Sequence, residues 1–355
     1  MMGQRIHPVF AGIDLLGAWQ RLRAQQPALR LREGAAQLNV SEAELLYASL
    51  GRGVRRLRSD WQALLYAVPA LGKVMALTRN EHCIHERCGG YGNIAVDGSG
   101  RTALVMNDEI DLRLRLCQWA SLFAVTEELS DARVRHSLQI FDLQGRAVHK
   151  IYLTETSNTP AWLDLCAELQ EDSMEPLTIA PAAAREAELA DAQVQQAVLR
   201  KDWAQLQDSD DFMALLARHR VKTIQALRLA GAQWAQRVPV SALAPALERA
   251  ASAALGITLE VGNHACLQPY TGPVQRLQRL GEWFNVLDPG FSLHLRESAI
   301  EQLWRVRKPS ADGMLSSLQA YDAQGDLIMQ VTDARKPSQP EDAVWREQVD
   351  ALSAI

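Results

Sequence analysis

Aromatic side chains are scarce in this chain, 6% of 355 residues, and no apolar run approaches the roughly 18 uninterrupted residues that a bilayer-crossing helix needs. The longest candidate, Trp61 to Met75, is broken by Gln62, Pro69, Gly72 and Lys73, which excludes membrane insertion by that segment. An excess of basic charge is also missing. With 37 Lys and Arg against 42 Asp and Glu the formal net charge is -5, so no global field favours nucleic acid or an anionic surface. Cysteines number five, at 83, 88, 117, 166 and 266, an odd set without a C-x-x-C pair. A secreted disulfide framework is excluded and reduced thiols are expected. Met1 to Leu15 carries Arg5 but no apolar core followed by a small-residue cleavage site, which places the chain in the cytoplasm. G-x-S-x-G and P-loop strings are absent, and Gly89-Gly-Tyr-Gly92 lacks the strand-to-helix context of a dinucleotide fingerprint. What remains is ordinary globular composition, 48% hydrophobic and 22% charged, long enough for two cores of about 150 residues each.

The chain repeats itself. Ser137-Leu-Gln-Ile-Phe-Asp-Leu-Gln-Gly145 returns as Ser317-Leu-Gln-Ala-Tyr-Asp-Ala-Gln-Gly325, six of nine identical without a gap. Upstream, Arg79-Asn-Glu81 answers Gly262-Asn-His264, Leu112-Arg-Leu114 answers Leu293-His-Leu295, and Trp19-Gln-Arg-Leu22 answers Trp203-Ala-Gln-Leu206. The order of matches is the same in both halves, which reads as a duplication covering 18 to about 155 and 202 to about 335.

Each unit begins with helices and ends with strands. Polar and apolar residues alternate on both sides of Asp142-Leu-Gln-Gly145 and of Asp322-Ala-Gln-Gly325, the pattern of two strands joined by a tight turn. Ser41 followed by Glu44 is a capping box before Leu45 and Leu46, with Gly51 as terminator, and the counterpart is Thr223 to Gly231. These signals divide the chain into an N-terminal repeat (1–158), a helical linker (159–201) and a C-terminal repeat (202–355). Within the linker one helix is expected near 160–170 and an Ala-rich, Glu/Gln-rich one from about 182, with breakers at Pro176 and Pro181.

Longer strings resemble a known family: His85-Glu-Arg87 with Gly90-Tyr-Gly-Asn93, Asn107-Asp-Glu-Ile-Asp-Leu-Arg113, Gly145 to Leu153, Gly281 to Pro289, and Arg307-Lys-Pro309. Together they are similar to the haem-trafficking and haem-degrading proteins of Gram-negative haem uptake, the HemS/ChuS type, across almost the whole chain. The resemblance implies an α+β fold of two tandem similar repeats, each a large antiparallel sheet with packed helices, and a haem crevice in the C-terminal half. Haem is then the implied ligand or substrate, and a haem oxygenase or haem-uptake component the implied protein partner.

In that family a histidine at a helix start in the second half holds the iron, within Asp-x-His-x-Phe and then Leu-Leu-x-Arg-His. Here the frame reads Asp208-Ser-Asp210-Asp-Phe212-Met213-Ala-Leu215-Leu216-Ala-Arg218-His219, with Asp210 in the histidine's place. A carboxylate is a harder donor than imidazole and suits ferrous haem poorly. Asp210 reads first as a helix-start residue complementing the macrodipole and only then as an iron ligand, and Met213 as a thioether donor or as core packing. By the same resemblance Arg113 lies on the distal side of haem, against an ion-paired strand arginine near Asp111. Lys308 reaches a propionate, against a solvated surface lysine. Tyr321 hydrogen-bonds a propionate, against a core aromatic. His82-Cys-Ile-His85-Glu-Arg-Cys88 alternates faces on a strand, which breaks up any tetrahedral zinc set and leaves His85 as an alternative iron ligand.

Three readings of function follow: a cytoplasmic protein that binds or traffics haem for iron acquisition, with degradation weakened by Asp210; a relative without haem binding that acts as an interaction or regulatory protein; and a related two-domain module that binds another flat apolar ligand. A macrocycle burying about 400 Å² gains up to ~10 kcal/mol before association losses, so binding can survive the exchange of an axial ligand.

Overall fold

The computed structural model describes residues 14–129, 133–171, 175–182, 184–334 and 339–355, with the side chains of Ser209 and Asp210 outside that description. Thirteen residues of the N-terminal stretch, 1–13, lie outside it as well. Contacts divide the chain into two units: 1–79 with 86–183 and 263–268, and 80–85 with 184–262 and 269–355. Two short segments are thus traded reciprocally, 80–85 into the second unit and 263–268 into the first.

The first unit carries an antiparallel run in the order Val54–Leu57, Ser121–Glu128, Val134–Phe141, Ala147–Leu153, Val74–Arg79. The second carries the same run as Ala235–Val238, Gln302–Ser310, Gly313–Tyr321, Leu327–Asp333, Gly256–Gly262. A smaller run accompanies each: Ile94–Val96, Ala103–Met106, Asp111–Leu114 with Cys266 and Leu267 in the first, and Leu277–Leu280, Trp283–Asp288, Phe291–Arg296 in the second. This is the expected α+β duplication.

The repeated string forms the same hairpin twice, down to single hydrogen bonds. Asp142 Oδ1 accepts from the amides of Gln144 and Arg146, each at 2.9 Å, and Asp322 Oδ1 from those of Gln324 and Asp326, each at 2.9 Å. Gly145 at φ 73° and Gly325 at φ 78° occupy the left-handed position that closes each turn. A register shift follows at Ile140/Phe141 and again at Ala320/Tyr321.

An asparagine anchors each traded segment. Asn80 Oδ1 accepts from the amides of His82 and Cys83 at 3.0 and 2.9 Å while its Nδ2 donates to the carbonyls of Gly262 and Ile328 at 3.1 and 2.7 Å. Asn263 repeats the pattern: it accepts from Ala265 and Cys266 at 2.9 and 3.0 Å and donates to Arg79 and Val148, each at 2.9 Å. Every polar group of both side chains is thereby satisfied, as burial beside a sheet end demands.

Between the repeats one expected helix forms and the other does not. The helix expected near 160–170 is Thr159–Glu168, which buries Trp162, Leu165 and Cys166 in the first unit's core. The Ala-rich stretch 184–190 forms no helix; helix Gln196–Trp203 begins later. Ala and Glu supply propensity but no apolar stripe to bury, so tertiary tethers win: Arg185 pairs with Asp326, and Gln225 Nε2 donates to the Leu189 carbonyl at 2.6 Å.

Candidate functional site

The site-bearing elements of the second unit are three helices, Gln196–Trp203, Ser209–His219 and Thr223–Ala230, packed on the Gln302–Ser310 and Gly313–Tyr321 hairpin. Phe212, Leu215 and Leu216 form the inward stripe of the middle helix and join Trp203, Trp304, Val306 and Tyr321 in one core cluster. Phe212 stands edge-on to Trp203, ring centres 5.2 Å apart. Two bonds tie the stretch leading into the middle helix to the turn end of the hairpin: Trp203 Nε1 donates to the Arg307 carbonyl at 2.9 Å, and the Ala311 amide to the Gln207 carbonyl at 3.1 Å.

Capping of the middle helix belongs to the residues around Asp210. Asp208 is the N-cap and accepts from the Asp211 amide at 2.8 Å; Asp211 reaches back to the Gln207 amide at 2.9 Å. Asp210 is the second residue of this helix, and its side chain lies outside the described residues. Met213, one turn on, is half exposed and so is not core. His219 at the far end is tied to Asp202, Nε2 to Oδ2 at 2.9 Å, which makes it a structural residue.

Lys308 comes to this helix. Its Nζ lies 3.5 Å from the centre of the Phe212 ring, so the ammonium is held on an aromatic face. Loss of water pulls it down from the ordinary lysine range to about 8, with the Glu260 carboxylate acting the other way. Tyr321 is buried, and its hydroxyl donates to Gln319 Oε1 at 2.6 Å; burial pushes the phenol well above its usual range. From there a row crosses the sheet that sequence reading missed. Gln319 Nε2 donates to Gln330 Oε1 at 2.6 Å, and Gln330 Nε2 donates to Glu260 Oε2 at 2.6 Å. The signal available beforehand was a difference between the repeats, since Tyr321 answers Phe141 and Gln330 answers Lys150.

Two further candidates stand on other elements. Arg113 belongs to the first unit, exposed on Asp111–Leu114 opposite Leu104 and Leu267. Asp111 beside it is raised by burial, against the pull of Arg113. His85 is fully buried with its ring 5.0 Å from Phe291, itself stacked on Tyr270 at 3.7 Å, an aromatic core rather than a pocket wall. Among the described residues no three His, Cys, Asp or Glu side chains are grouped to hold a metal ion.

Comparison with known proteins matches this duplicated architecture. The model of the haemin-degrading HemS.ChuX domain matches residues 39–169 and again 220–352, once per repeat. The chain belongs to the HemS family. It is 37% identical over 340 residues to the hemin transport protein HmuS of Yersinia pestis, covering 96% of this chain and 97% of that one. It superposes on the holo form of PhuS, a haem-binding protein of Pseudomonas aeruginosa, with a TM-score of 0.94 at 47% identity, over 96% of this chain and 99% of that one. ChuS of Escherichia coli O157:H7, a haem-degrading enzyme, gives 0.89 at 34% identity over 96% and 98%. Family membership and the α+β duplication agree with the sequence reading.

Proposed function

We propose that this chain binds haem in its second repeat, at the start of helix Ser209–His219, and hands it on as part of cytoplasmic haem use for iron acquisition. The observation that carries the reading is Lys308, whose ammonium group stands against the Phe212 ring near the turn of a hairpin pinned to that helix start, with Met213 half exposed on the same helix. The residues fit the ligand: a flat apolar macrocycle finds the half-exposed thioether of Met213, and a propionate finds the partly buried ammonium of Lys308. Similarity over the whole length to HmuS and PhuS supports the same reading, and the five unpaired cysteines suit a reducing compartment. Iron bound here supplies redox chemistry only to the extent that its axial ligands tune it. Asp210, an oxygen donor where the resemblance places a histidine, favours carriage over degradation, with a haem oxygenase or uptake component as the protein that delivers or receives the cargo.

Haem titration of the full chain followed by absorbance is the test. A Soret shift saturating at one haem per chain supports the reading. Spectra of free haem at micromolar protein would overturn it in favour of a relative that acts as an interaction or regulatory protein.

A further inference from the structure

At one place the two repeats keep the same backbone plan and change its chemistry. Helix Leu31–Gln37 in the first and helix Ser209–His219 in the second each set the fourth residue after the N-cap against the repeated tryptophan, Gly34 on Trp19 and Phe212 on Trp203. A Cβ on Gly34 would meet Trp19 at 2.1 Å, so the first helix lies directly on its tryptophan. In the second repeat the Phe212 ring fills that place, its centre 5.2 Å from that of Trp203. The next residue is Ala35 in the first repeat, buried, and Met213 in the second, half exposed. The position of Lys308 is Glu127 in the first repeat, bonded to Arg135 at 2.9 Å, whereas the Lys308 ammonium lies 3.5 Å from the centre of the Phe212 ring and has no ion pair among the described residues. Gly, Ala and Glu therefore build the same fold, and folding alone does not call for Phe212, Met213 and Lys308.

We propose that Met213 gives its thioether to haem iron as an axial ligand, so that the second repeat holds ferrous haem in preference to ferric. The proposal rests on the haem-binding reading above and adds an oxidation state to it. Phe212, Leu215 and Leu216 take the inward side of the helix, while Met213, Ala214 and Ala217 lie exposed along its outer side. The helix's own imidazole, His219, is engaged by Asp202 at the far end, which leaves Met213 as its exposed soft donor. A thioether is neutral and soft, and as a haem ligand it favours the reduced iron and raises its potential. Asp210 precedes Met213 by one turn, a spacing that puts two positions on one side of a helix, and a carboxylate is a hard donor suited to the ferric state. Lys308 meets a ligand carboxylate whatever the charge on iron, so it adds affinity without selecting the oxidation state.

The test measures binding of three ligands to the full chain: ferric haem, haem kept ferrous by dithionite without oxygen, and iron-free protoporphyrin. Met213→Leu keeps the volume of the side chain and removes its sulfur. Ferrous affinity is expected to fall about tenfold in this variant with the other two ligands within about twofold of the parent, which lowers the midpoint potential of bound haem by about 59 mV. Met213→His should bind both oxidation states with the spectra of imidazole-ligated haem. A loss in Met213→Leu that protoporphyrin shares is lost packing, and one that ferric haem shares is ligation without preference; either overturns the proposal. So does an unchanged ferrous affinity, or a folded Met213→His variant with the parent's spectra. If the parent binds protoporphyrin and haem but holds ferrous haem no tighter than ferric, the proposal alone fails; if it binds none of the three, the haem reading fails and takes the proposal with it.

Discussion

Positions 210 and 308 are the two on which the proposed haem site turns, and they differ in how much the neighbours decide. Lys308 was readable as a candidate from Arg307-Lys-Pro309, yet its setting was not, because the Phe212 ring that desolvates it lies on a helix almost a hundred positions away in sequence. Lys308→Ala is expected to weaken haem binding by up to about fivefold, the range for a partly screened ion pair, measured by titration against the parent; unchanged affinity would exclude the contact. Asp210 is different: its frame of Asp208, Phe212, Leu215 and Leu216 keeps a helix start whose cap is supplied by Asp208 and Asp211. Substitution therefore should not disturb the fold, and Asp210→His is expected to give ferric and ferrous spectra of histidine-ligated haem with tighter binding. The helix dipole disfavours the protonated imidazole and leaves its nitrogen lone pair available. Parent-like spectra in a folded variant would place the iron elsewhere.

Among elements, the two hairpin turns offer a controlled comparison. Both glycines have positive φ, so any side chain is strained by about 1 kcal/mol. A Cβ on Gly145 would in addition meet Ser41 Oγ at 2.2 Å, whereas one on Gly325 would meet Ile224 Cγ1 at 3.2 Å. Ser41 caps the helix Glu42–Ala48 through the Glu44 amide at 3.2 Å. Gly145→Ala is thus expected to lose a further ~1 kcal/mol for the displaced cap, seen as a larger drop in urea midpoint than for Gly325→Ala. The turn was legible because Asp-x-Gln-Gly has local causes. The failed helix at 184–190 shows the converse, since propensity without a face to bury leaves the outcome to contacts that local sequence does not display.

For the whole molecule, acid stability should be set largely by one buried network in the first unit. His149 is fully enclosed: its Nδ1 meets Thr78 Oγ1 at 2.9 Å and its Nε2 meets the Tyr91 hydroxyl at 2.6 Å, with Cys266 Sγ 3.7 Å from Nδ1. Burial lowers the imidazole from 6.5 to about 3. The unfolded state therefore takes up the proton first, so this contribution to stability is complete above pH 6.5 and drains away as pH falls toward about 3, by roughly 1 kcal/mol per unit. Asp142, lowered by its bonds to His264 and Arg146 against the opposing effect of burial, adds loss of the same sign. The register equivalent of His149 is Met329, buried in an apolar core. His149→Met should accordingly flatten the acid limb of a stability profile, and an unchanged limb would exclude the network as its cause. Thiol counting in denaturant should return all five cysteines, because none is bonded to another; a lower count in freshly reduced protein would contradict this.

Sequence by itself determined the duplication, the two hairpins, the family and the candidate residues Lys308 and Asp210, because each rests on strings of neighbours whose periodicity, turn chemistry or order can be read in place. Tertiary structure alone decided the reciprocal trade of 80–85 and 263–268, the burial of His85 against Phe291, and the row from Tyr321 to Glu260. These depend on strand order and register across distant segments. A glutamine reads the same whether it faces water or closes a chain of dipoles, until the strands beside it are known.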